Sequence, residues 1–239
     1  MSINTLEFLD WDSHFFGYRV AKISLDANGI GVLAQIFEQL TSDKFRLAYI
    51  FVSPVENEIN ERILNNGGEL IDQKTTFIKT TEEHISFDHR IDEFIETRMD
   101  ENLKELVLQS GEFSRFRLDR RFISNEYERL YVEWLRKSLN KTIAFKTFVA
   151  REKTEIAGLI TLGKKKECAD IGLVAVDEKY RGRGIGRDLI RFADNAAFTM
   201  GFKQIQVVTQ KKNWGACRLY EKCGFKMNNV INVYHYWRV

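Results

Sequence analysis

The 239-residue sequence contains a single proline, three cysteines and four histidines. An odd number of cysteines without metal-ligand spacing predicts neither a disulfide framework nor a metal site, and it favours a reducing, cytoplasmic location. No uncharged run approaches the roughly 20 residues of a membrane helix, so no membrane partner is expected. The N-terminal stretch carries Glu7, Asp10 and Asp12, whereas a secretory signal begins with basic and then apolar residues.

An excess of one charge is also missing. The 36 Lys and Arg residues nearly balance the 34 Asp and Glu residues, which leaves a net charge of +2 and gives no argument for nucleic acid as a partner. The hydrophobic fraction of 44% allows a large core, either in one large domain or in two small ones. We expect a globular enzyme with a small-molecule substrate, and a homodimer is compatible with this pattern.

Strand-like and helical patterns alternate in the first part of the chain. The strand-like runs are Val20–Leu25, Leu47–Val52 and 75–79, and the helical patterns are 32–40 and 56–66. A polar stretch at 80–90 follows and is interpreted as a linker. We therefore predict a small N-terminal α/β domain at 1–90 and a second domain at 91–239.

The second part begins with a predicted strand near 94–98. Helices are predicted at 101–109 and 126–139, and strands at 143–151, 156–164 and 171–176. A helix at 187–200 and a strand at 204–209 complete the order.

Residues 181–186 form a glycine loop that reads Arg-Gly-Arg-Gly-Ile-Gly, between the strand-like run 171–176 and the helical pattern 187–200. Its glycines let backbone N–H groups converge on an anion without a Cβ in the way, and the helix N-terminus adds partial positive charge. The spacing predicts a pyrophosphate site, with a plain tight turn as the alternative. It differs from the dinucleotide fingerprint and lacks a Walker lysine, which argues against NAD and nucleoside triphosphates.

A second motif follows the run at 204–209. It reads N-x-x-A and then Y-E-K-x-G-F, from Asn213 to Phe225. Together the two motifs resemble the GCN5-related N-acetyltransferase (GNAT) superfamily over about residues 145–239. The resemblance implies an α/β (α+β) fold with a mixed central sheet, preceded here by the smaller N-terminal α/β domain, and acetyl-CoA as co-substrate without a metal.

The resemblance also implies how acetyl-CoA binds. In this family the strand before the glycine loop splays from its neighbour, which leaves main-chain groups for the pantetheine amides, while the loop holds the pyrophosphate. Asn213 would hydrogen-bond the pantetheine arm, and a helix N-cap is an equally good role for it. The implied cofactor-binding residues are Leu173, Val174, Ala175, Val176, Arg181, Gly182, Arg183, Gly184, Ile185, Gly186, Asn213 and Ala216.

Tyr220 is the candidate catalytic residue. In the family the tyrosine of this motif commonly lies at the thiol of the cofactor and acts as general acid, which the resemblance implies for Tyr220. The alternative is a core tyrosine whose hydroxyl is satisfied by a hydrogen bond. No general base is assigned, because a chain of water molecules can remove the proton from the amine.

The segment 111–122 carries four arginines within seven residues, with interleaved phenylalanines. Arginine forks match phosphates bidentately and the rings offer stacking faces, so Arg115 and Arg117 are candidate substrate-binding residues for a nucleotide diphosphate sugar. A partly buried salt-bridge cluster with Asp119, Glu126 and Glu128 explains the same composition equally well.

Four short segments resemble one branch of the superfamily more narrowly. They are W-D-S-x-F-F-G at 11–17, S-R-F-R at 114–117, I-G-L at 171–173 and V-V-T-Q at 207–210, and they are similar to segments of the bacterial TDP-fucosamine acetyltransferases. The resemblance implies acetylation of a TDP-linked 4-amino-4,6-dideoxyhexose for surface-polysaccharide synthesis. The alternatives are acetylation of another small amine or of a protein amine, and a non-catalytic acyl-CoA-binding sensor.

Overall fold

The structure is a computed structural model that describes residues 4–84 and 90–238. The chain folds into two compact units, one of residues 1–75 with 229–239 and one of residues 76–228. The chain passes between the units within the strand Glu69–Thr80 and again within the strand Lys226–Trp237.

The helices and strands follow one another in this order: β1 (Thr5–Phe8), α1 (Asp10–Phe16), β2 (Val20–Leu25), α2 (Leu33–Ser42), β3 (Leu47–Val52), α3 (Asn57–Asn65), β4 (Glu69–Thr80), β5 (Ile91–Glu93), α4 (Glu101–Ser110), α5 (Arg115–Leu118), α6 (Glu126–Leu139), β6 (Lys146–Glu152), β7 (Glu155–Lys165), β8 (Cys168–Val176), α7 (Ile185–Thr199), β9 (Gln204–Gln210), α8 (Trp214–Lys222) and β10 (Lys226–Trp237). Short 3-10 helices occupy Ala27–Gly31 and Glu178–Tyr180.

The first unit contains the strand order β1-β2-β3-β10. β2 and β3 are parallel, with α2 as their crossover, whereas β1 and β10 pair antiparallel with their neighbours. Helix α2 places Leu33, Ile36 and Leu40 on one buried face at helical spacing. These side chains share a core with β2 and β3, so the predicted α/β character of this region is confirmed.

The second unit contains the strand order β4-β9-β8-β7-β6-β5. β8 and β9 are parallel and are joined through α7, while β5, β6, β7 and β8 form an antiparallel series. Helix α7 buries Leu189, Ile190, Ala193 and Ala197 against the sheet, as its helical periodicity predicts. The mixed sheet that the family resemblance implies is therefore confirmed.

The predicted strand at 94–98 is wrong. β5 ends at Glu93. The Phe94 N–H still donates to the Thr147 carbonyl oxygen at 2.8 Å, and the chain is irregular after this residue. That stretch leads to Asp100, whose side chain accepts the Leu103 N–H at 2.8 Å and caps α4. The residues that follow β5 therefore lead to the N-cap of α4 and do not extend the sheet.

The predicted division into domains 1–90 and 91–239 stays a prediction, since compactness alone does not establish independent folding. Residues 85–89 of the predicted linker lie outside the described residues. Before them, the hydroxyl of Thr81 donates to the Phe202 carbonyl oxygen at 2.6 Å. Within the described ranges, no helix combines the length and the apolar character needed to cross a bilayer.

Candidate functional site

β8 and β9 pair at one end only. Their register joins Ala169 with Ile205 and Ile171 with Val207, and in the described part of the chain it extends no further toward Val176, where β8 ends. Residues 172–176 of β8, which we call the splayed segment, therefore lack a strand partner on the β9 side.

A β-bulge marks the start of the splayed segment. Thr161 of β7 lies opposite two residues of β8, Gly172 and Leu173. The Thr161 hydroxyl oxygen accepts the Leu173 N–H at 2.9 Å, and Thr161 is buried. An extra residue bends the bulged strand and increases its twist, which accounts for the separation of β8 from β9 at this point.

Backbone groups alternate in direction along the splayed segment. The N–H of Leu173 points toward β7, and the N–H of Asp177 donates to a β7 carbonyl oxygen at 2.9 Å. Since the N–H and C=O groups of successive residues point to opposite sides of a strand, those of Ala175 also face β7, whereas those of Val174 and Val176 face the β9 side. Of the four predicted main-chain residues, two direct their backbone groups to the unpaired side.

The glycine loop leads directly into α7. Gly182 and Gly184 have φ angles of +81° and +85°, a left-handed conformation that costs residues with a Cβ about 1–2 kcal/mol. Gly184 is the N-cap of α7 and supplies no capping side chain. The N–H groups of Ile185, Gly186 and Arg187 in the first turn therefore have no partner within the helix. Such a helix end attracts anions.

The arginines of the loop hold its shape. Arg181 donates from Nε to the Val176 carbonyl oxygen at 3.0 Å and from its guanidinium to the Gln109 side chain at 3.2 Å. The Gln109 side-chain oxygen also accepts the N–H of Glu178, at the start of the 3-10 helix before Arg181, at 3.0 Å. The guanidinium of Arg183 lies over the Tyr180 ring at 5.3 Å. The anion site is thus built mainly of backbone amides, and sequence reasoning missed Gln109, because nothing distinguishes it from other polar residues of α4.

Gly186 allows three elements to approach one another. A Cβ at this position would lie 3.1 Å from the side chain of Leu219 on α8 and 3.5 Å from that of Val176. The first turn of α7 therefore packs against the end of β8 and against α8 without room for a side chain. This close packing places α8 next to the glycine loop.

Asn213 immediately precedes α8. Its side-chain oxygen accepts the Ala216 N–H at 3.1 Å, which is the N-cap role. No residue in 4–84 or 90–238 accepts a hydrogen bond from its amide nitrogen, so the predicted role in holding the pantetheine arm is compatible with capping. Both roles use different atoms of one side chain.

Tyr220 lies on α8 and is only 5% exposed. Its ring centroid is 5.8 Å from that of Phe77 and 6.1 Å from that of Phe225, within the core of the second unit. Burial raises the pKa of Tyr220, so the hydroxyl keeps its proton at neutral pH. Among the described residues no hydrogen bond uses this hydroxyl, which leaves the proton available to a bound group.

The arginine-rich segment divides into a structural and an exposed part. Arg121 donates to both carboxylate oxygens of Asp119, at 2.8 and 3.2 Å, and Asp119 is buried. The guanidinium of half-buried Arg115 lies over the following phenylalanine ring at 4.7 Å. Arg117 is exposed, and its guanidinium lies over the Tyr127 ring at 5.3 Å. Arg121 therefore forms a salt bridge with Asp119, whereas the charge of Arg117 is exposed to solvent.

A buried charge cluster also lies in the second unit. Oδ2 of Asp194, which is 1% exposed, lies 2.7 Å from Nζ of Lys79 and 2.9 Å from Nε2 of His84. The potential ligand atoms of Glu82, His84 and Asp194 lie within 4.8 Å of one another, although the sequence predicted no such cluster. Because the Lys79 ammonium already neutralises Asp194, the arrangement fits a buried salt bridge better than a divalent cation.

The sequence of the chain is similar to those of known proteins. Residues 116–225 match the acetyltransferase (GNAT) family. The spore coat polysaccharide biosynthesis protein SpsD of Bacillus subtilis is 29% identical over 138 residues, which are 57% of this chain and 47% of that protein. The dTDP-fucosamine acetyltransferase of Escherichia coli is 22% identical over 250 residues, covering 98% of this chain and 96% of that enzyme.

The fold is also found in solved structures. A GCN5-related N-acetyltransferase from Sphaerobacter thermophilus has a TM-score of 0.62 at 13% identity, covering 97% of this chain and 76% of that chain. The chain spans less than half the length of the first curated relatives that it matches. Residues 116–225 are therefore a segment of the acetyltransferase (GNAT) family, and the chain shares the fold of the Sphaerobacter thermophilus structure.

Proposed function

We propose that this protein transfers the acetyl group of acetyl-CoA to the amino group of a nucleotide-linked amino sugar. The observation that carries the proposal is the splayed segment of β8 leading into the glycine loop. An unpaired strand edge followed by a helix N-terminus offers hydrogen bonds to amides and then to a pyrophosphate, in the order that these groups have in acetyl-CoA.

The residues present fit this co-substrate. The N–H groups of Val174 and Val176 and the C=O group of Val174 face the unpaired side of β8 and suit the pantetheine amides. The amides at the start of α7 suit the pyrophosphate, and a Cβ at Gly186 would meet Leu219 and obstruct the close approach of α7 and α8. Asn213 has amide donors for the pantetheine arm.

The chemistry follows from the charges that develop. Bound acetyl-CoA supplies an acetyl thioester whose sulfur takes up negative charge when the amine displaces it. Tyr220 is protonated at neutral pH, as its raised pKa requires, and it would donate a hydrogen bond to that sulfur and, as negative charge develops there, the proton. Solvent water would accept the proton that the amine loses, and a proton from solvent would restore the Tyr220 hydroxyl after the thiol leaves.

The acceptor proposal rests on the second unit and on the full-length likeness. Arg117 is exposed and Arg115 is half-buried, each with its guanidinium over an aromatic ring, and guanidinium groups bind phosphates bidentately. The dTDP-fucosamine acetyltransferase aligns with nearly the whole chain. We therefore propose a TDP-linked 4-amino-4,6-dideoxyhexose as the acceptor, and a place in cytoplasmic synthesis of a surface polysaccharide.

Release of the CoA thiol tests the function directly. Purified protein is incubated with acetyl-CoA and, in separate reactions, a TDP-linked 4-amino sugar, the same sugar without the nucleotide, and a lysine peptide. We expect the nucleotide sugar to give the highest kcat/KM. A preference for the peptide would overturn the acceptor, and acetyl-CoA binding without turnover on any amine would favour the sensor alternative.

Replacing Gly184 with valine should weaken acetyl-CoA binding at least tenfold. The new Cβ lies 3.3 Å from the Arg187 guanidinium and forces a β-branched residue into a φ of +85°, so the loop amides lose their common direction. Calorimetry with acetyl-CoA measures the loss. Gly201→Val is the matched control, since Gly201 follows the other end of α7 with the same φ. Equal affinities in both variants would contradict the anion site.

Replacing Arg117 with alanine should raise the KM for the nucleotide sugar roughly tenfold or more and leave acetyl-CoA affinity nearly intact, through loss of a charge-assisted contact. Burial raises the pKa of Tyr127 to about 12, so this neighbour is neutral at pH 7 and does not offset the charge of Arg117. Arg136→Ala, which removes an exposed arginine paired with Glu133, is the control for steady-state kinetics. Parallel losses for both substrates would indicate a structural role for Arg117.

A further inference from the structure

Trp214 is an exposed tryptophan at a position where the fold does not need it. It is the first residue of α8 and is 68% exposed. Among the residues that the structure describes, no aromatic ring or cation lies against its indole. An indole in water leaves a large apolar face unburied, and such faces are commonly found where a ligand or partner binds.

Three basic residues are neighbours of Trp214 along the chain. Lys211 and Lys212 lie just before it in the chain, and Arg218 lies one helical turn after it on the same face of α8. All three are exposed, and none forms a salt bridge with a carboxylate in the described ranges. An aromatic face beside unneutralised cations is complementary to a phosphorylated nucleoside, because the base stacks and the phosphate is attracted.

The position of Trp214 relative to the glycine loop follows from the packing of α8. Leu219 of α8 lies against Gly186 at the start of α7. Trp214 precedes Leu219 by five residues on the same helix, which is about 7.5 Å along the helix axis. The indole is therefore close enough for the nucleoside end of a ligand whose pyrophosphate lies at the glycine loop.

We propose that Trp214 stacks on the adenine of acetyl-CoA and that Lys211 and Lys212 bind its 3′-phosphate. This inference rests on the proposed use of acetyl-CoA and goes beyond it, because it assigns a nucleoside subsite on α8. The subsite distinguishes CoA from shorter pantetheine thiols by stacking. It distinguishes CoA from 3′-dephospho-CoA by charge.

Calorimetry with three ligands tests the stacking. Trp214→Ala should weaken CoA binding roughly 10- to 100-fold, as expected for loss of one stacked base, while Trp214→Phe retains most of the affinity. The affinity for pantetheine, which has no adenine, should be the same in Trp214→Ala and the wild type. Trp11→Ala, in the first unit, removes another exposed indole and should leave CoA binding unchanged.

The lysines are tested by the preference for CoA over 3′-dephospho-CoA. This ratio should fall toward one in the double variant Lys211→Ala, Lys212→Ala and stay at its wild-type value in Trp214→Phe. Unfolding midpoints establish that each variant is folded.

The outcomes separate the two proposals. If wild-type protein binds CoA and Trp214→Ala binds it equally well, the subsite is wrong and the proposed function stands. If wild-type protein does not bind CoA, both are wrong. An equal loss of affinity for CoA and pantetheine in Trp214→Ala would show a disturbed helix α8 and would overturn the stacking.

Discussion

Tyr220→Phe should lower kcat by roughly 10² to 10⁴, the span expected for loss of a general acid. The substitution keeps the ring that packs against Phe77 and Phe225 and deletes only the hydroxyl. Affinity for acetyl-CoA should change little, because the proposed hydrogen bond to sulfur strengthens as charge develops on the leaving thiolate. Steady-state kinetics at saturating substrate measures the effect.

A second tyrosine provides the control. Tyr234 is also buried, and its hydroxyl donates to the Asn60 side chain at 2.6 Å. Tyr234→Phe should therefore lower the free energy of unfolding by about 0.5–1.5 kcal/mol through loss of this hydrogen bond, while the Asn60 oxygen keeps the Asn232 amide donor at 2.8 Å, and it should leave kcat near its wild-type value. Tyr220→Phe should show the opposite pattern. Near-normal turnover in Tyr220→Phe would mean that the thiolate leaves without help from this residue.

Lys79→Met should reduce the free energy of unfolding by about 3–5 kcal/mol. The ammonium of Lys79 is the nearest cation to the carboxylate of Asp194, at 2.7 Å, and the two side chains are 10% and 1% exposed. Removing Lys79 takes away the ammonium that pairs with a buried carboxylate in a poorly solvated site and leaves the His84 imidazole, at 2.9 Å, as its side-chain partner. Denaturant unfolding measures the loss.

Two further variants make this measurement specific. Adding Asp194→Asn to Lys79→Met should recover part of the stability, because the buried charge is then removed. Lys104→Met breaks an exposed ion pair with Glu101 and should cost less than about 1 kcal/mol. A loss in Lys79→Met no larger than in Lys104→Met would show that the Lys79–Asp194 pair contributes little.

Local signals predicted many of the elements. The bounds of β2, β3 and α6 agree with the patterns read from the sequence, because a run of apolar residues or a helical periodicity marks each of them. The glycine loop precedes α7 as predicted, since its function depends on local backbone freedom.

Other elements gave no such signal. Helix α1 has only seven residues, none of them buried, which is too short a stretch for helical periodicity to mark it, and β10 begins with four exposed residues. These elements depend on partners distant in sequence, such as β3 for β10. Propensity and periodicity do not contain that information.

The details of the candidate site depend on long-range pairing. The bulge of β8 arises from its register with β7. In the sequence, only Thr161, a single threonine in the otherwise apolar run 156–162, indicates it. Asp194 is easier to recognise in the sequence, because it lies on the apolar face of α7 beside Ala193 and Ala197. A charge at such a position indicates a buried partner, but the identity of that partner, Lys79, comes only from the fold.

The two compact units also impose an order on biosynthesis. Residues 76–228 are inserted between the parts of the first unit, whose strand β3 pairs with β10. A ribosome makes the whole insertion before it makes residues 229–239, and chains generally fold from the N-terminal side as they emerge. The inserted unit can therefore complete its core while β3 still lacks one neighbour. During that interval the edge of β3 lacks its β10 partner, which makes it a segment in need of protection from premature association in the cell.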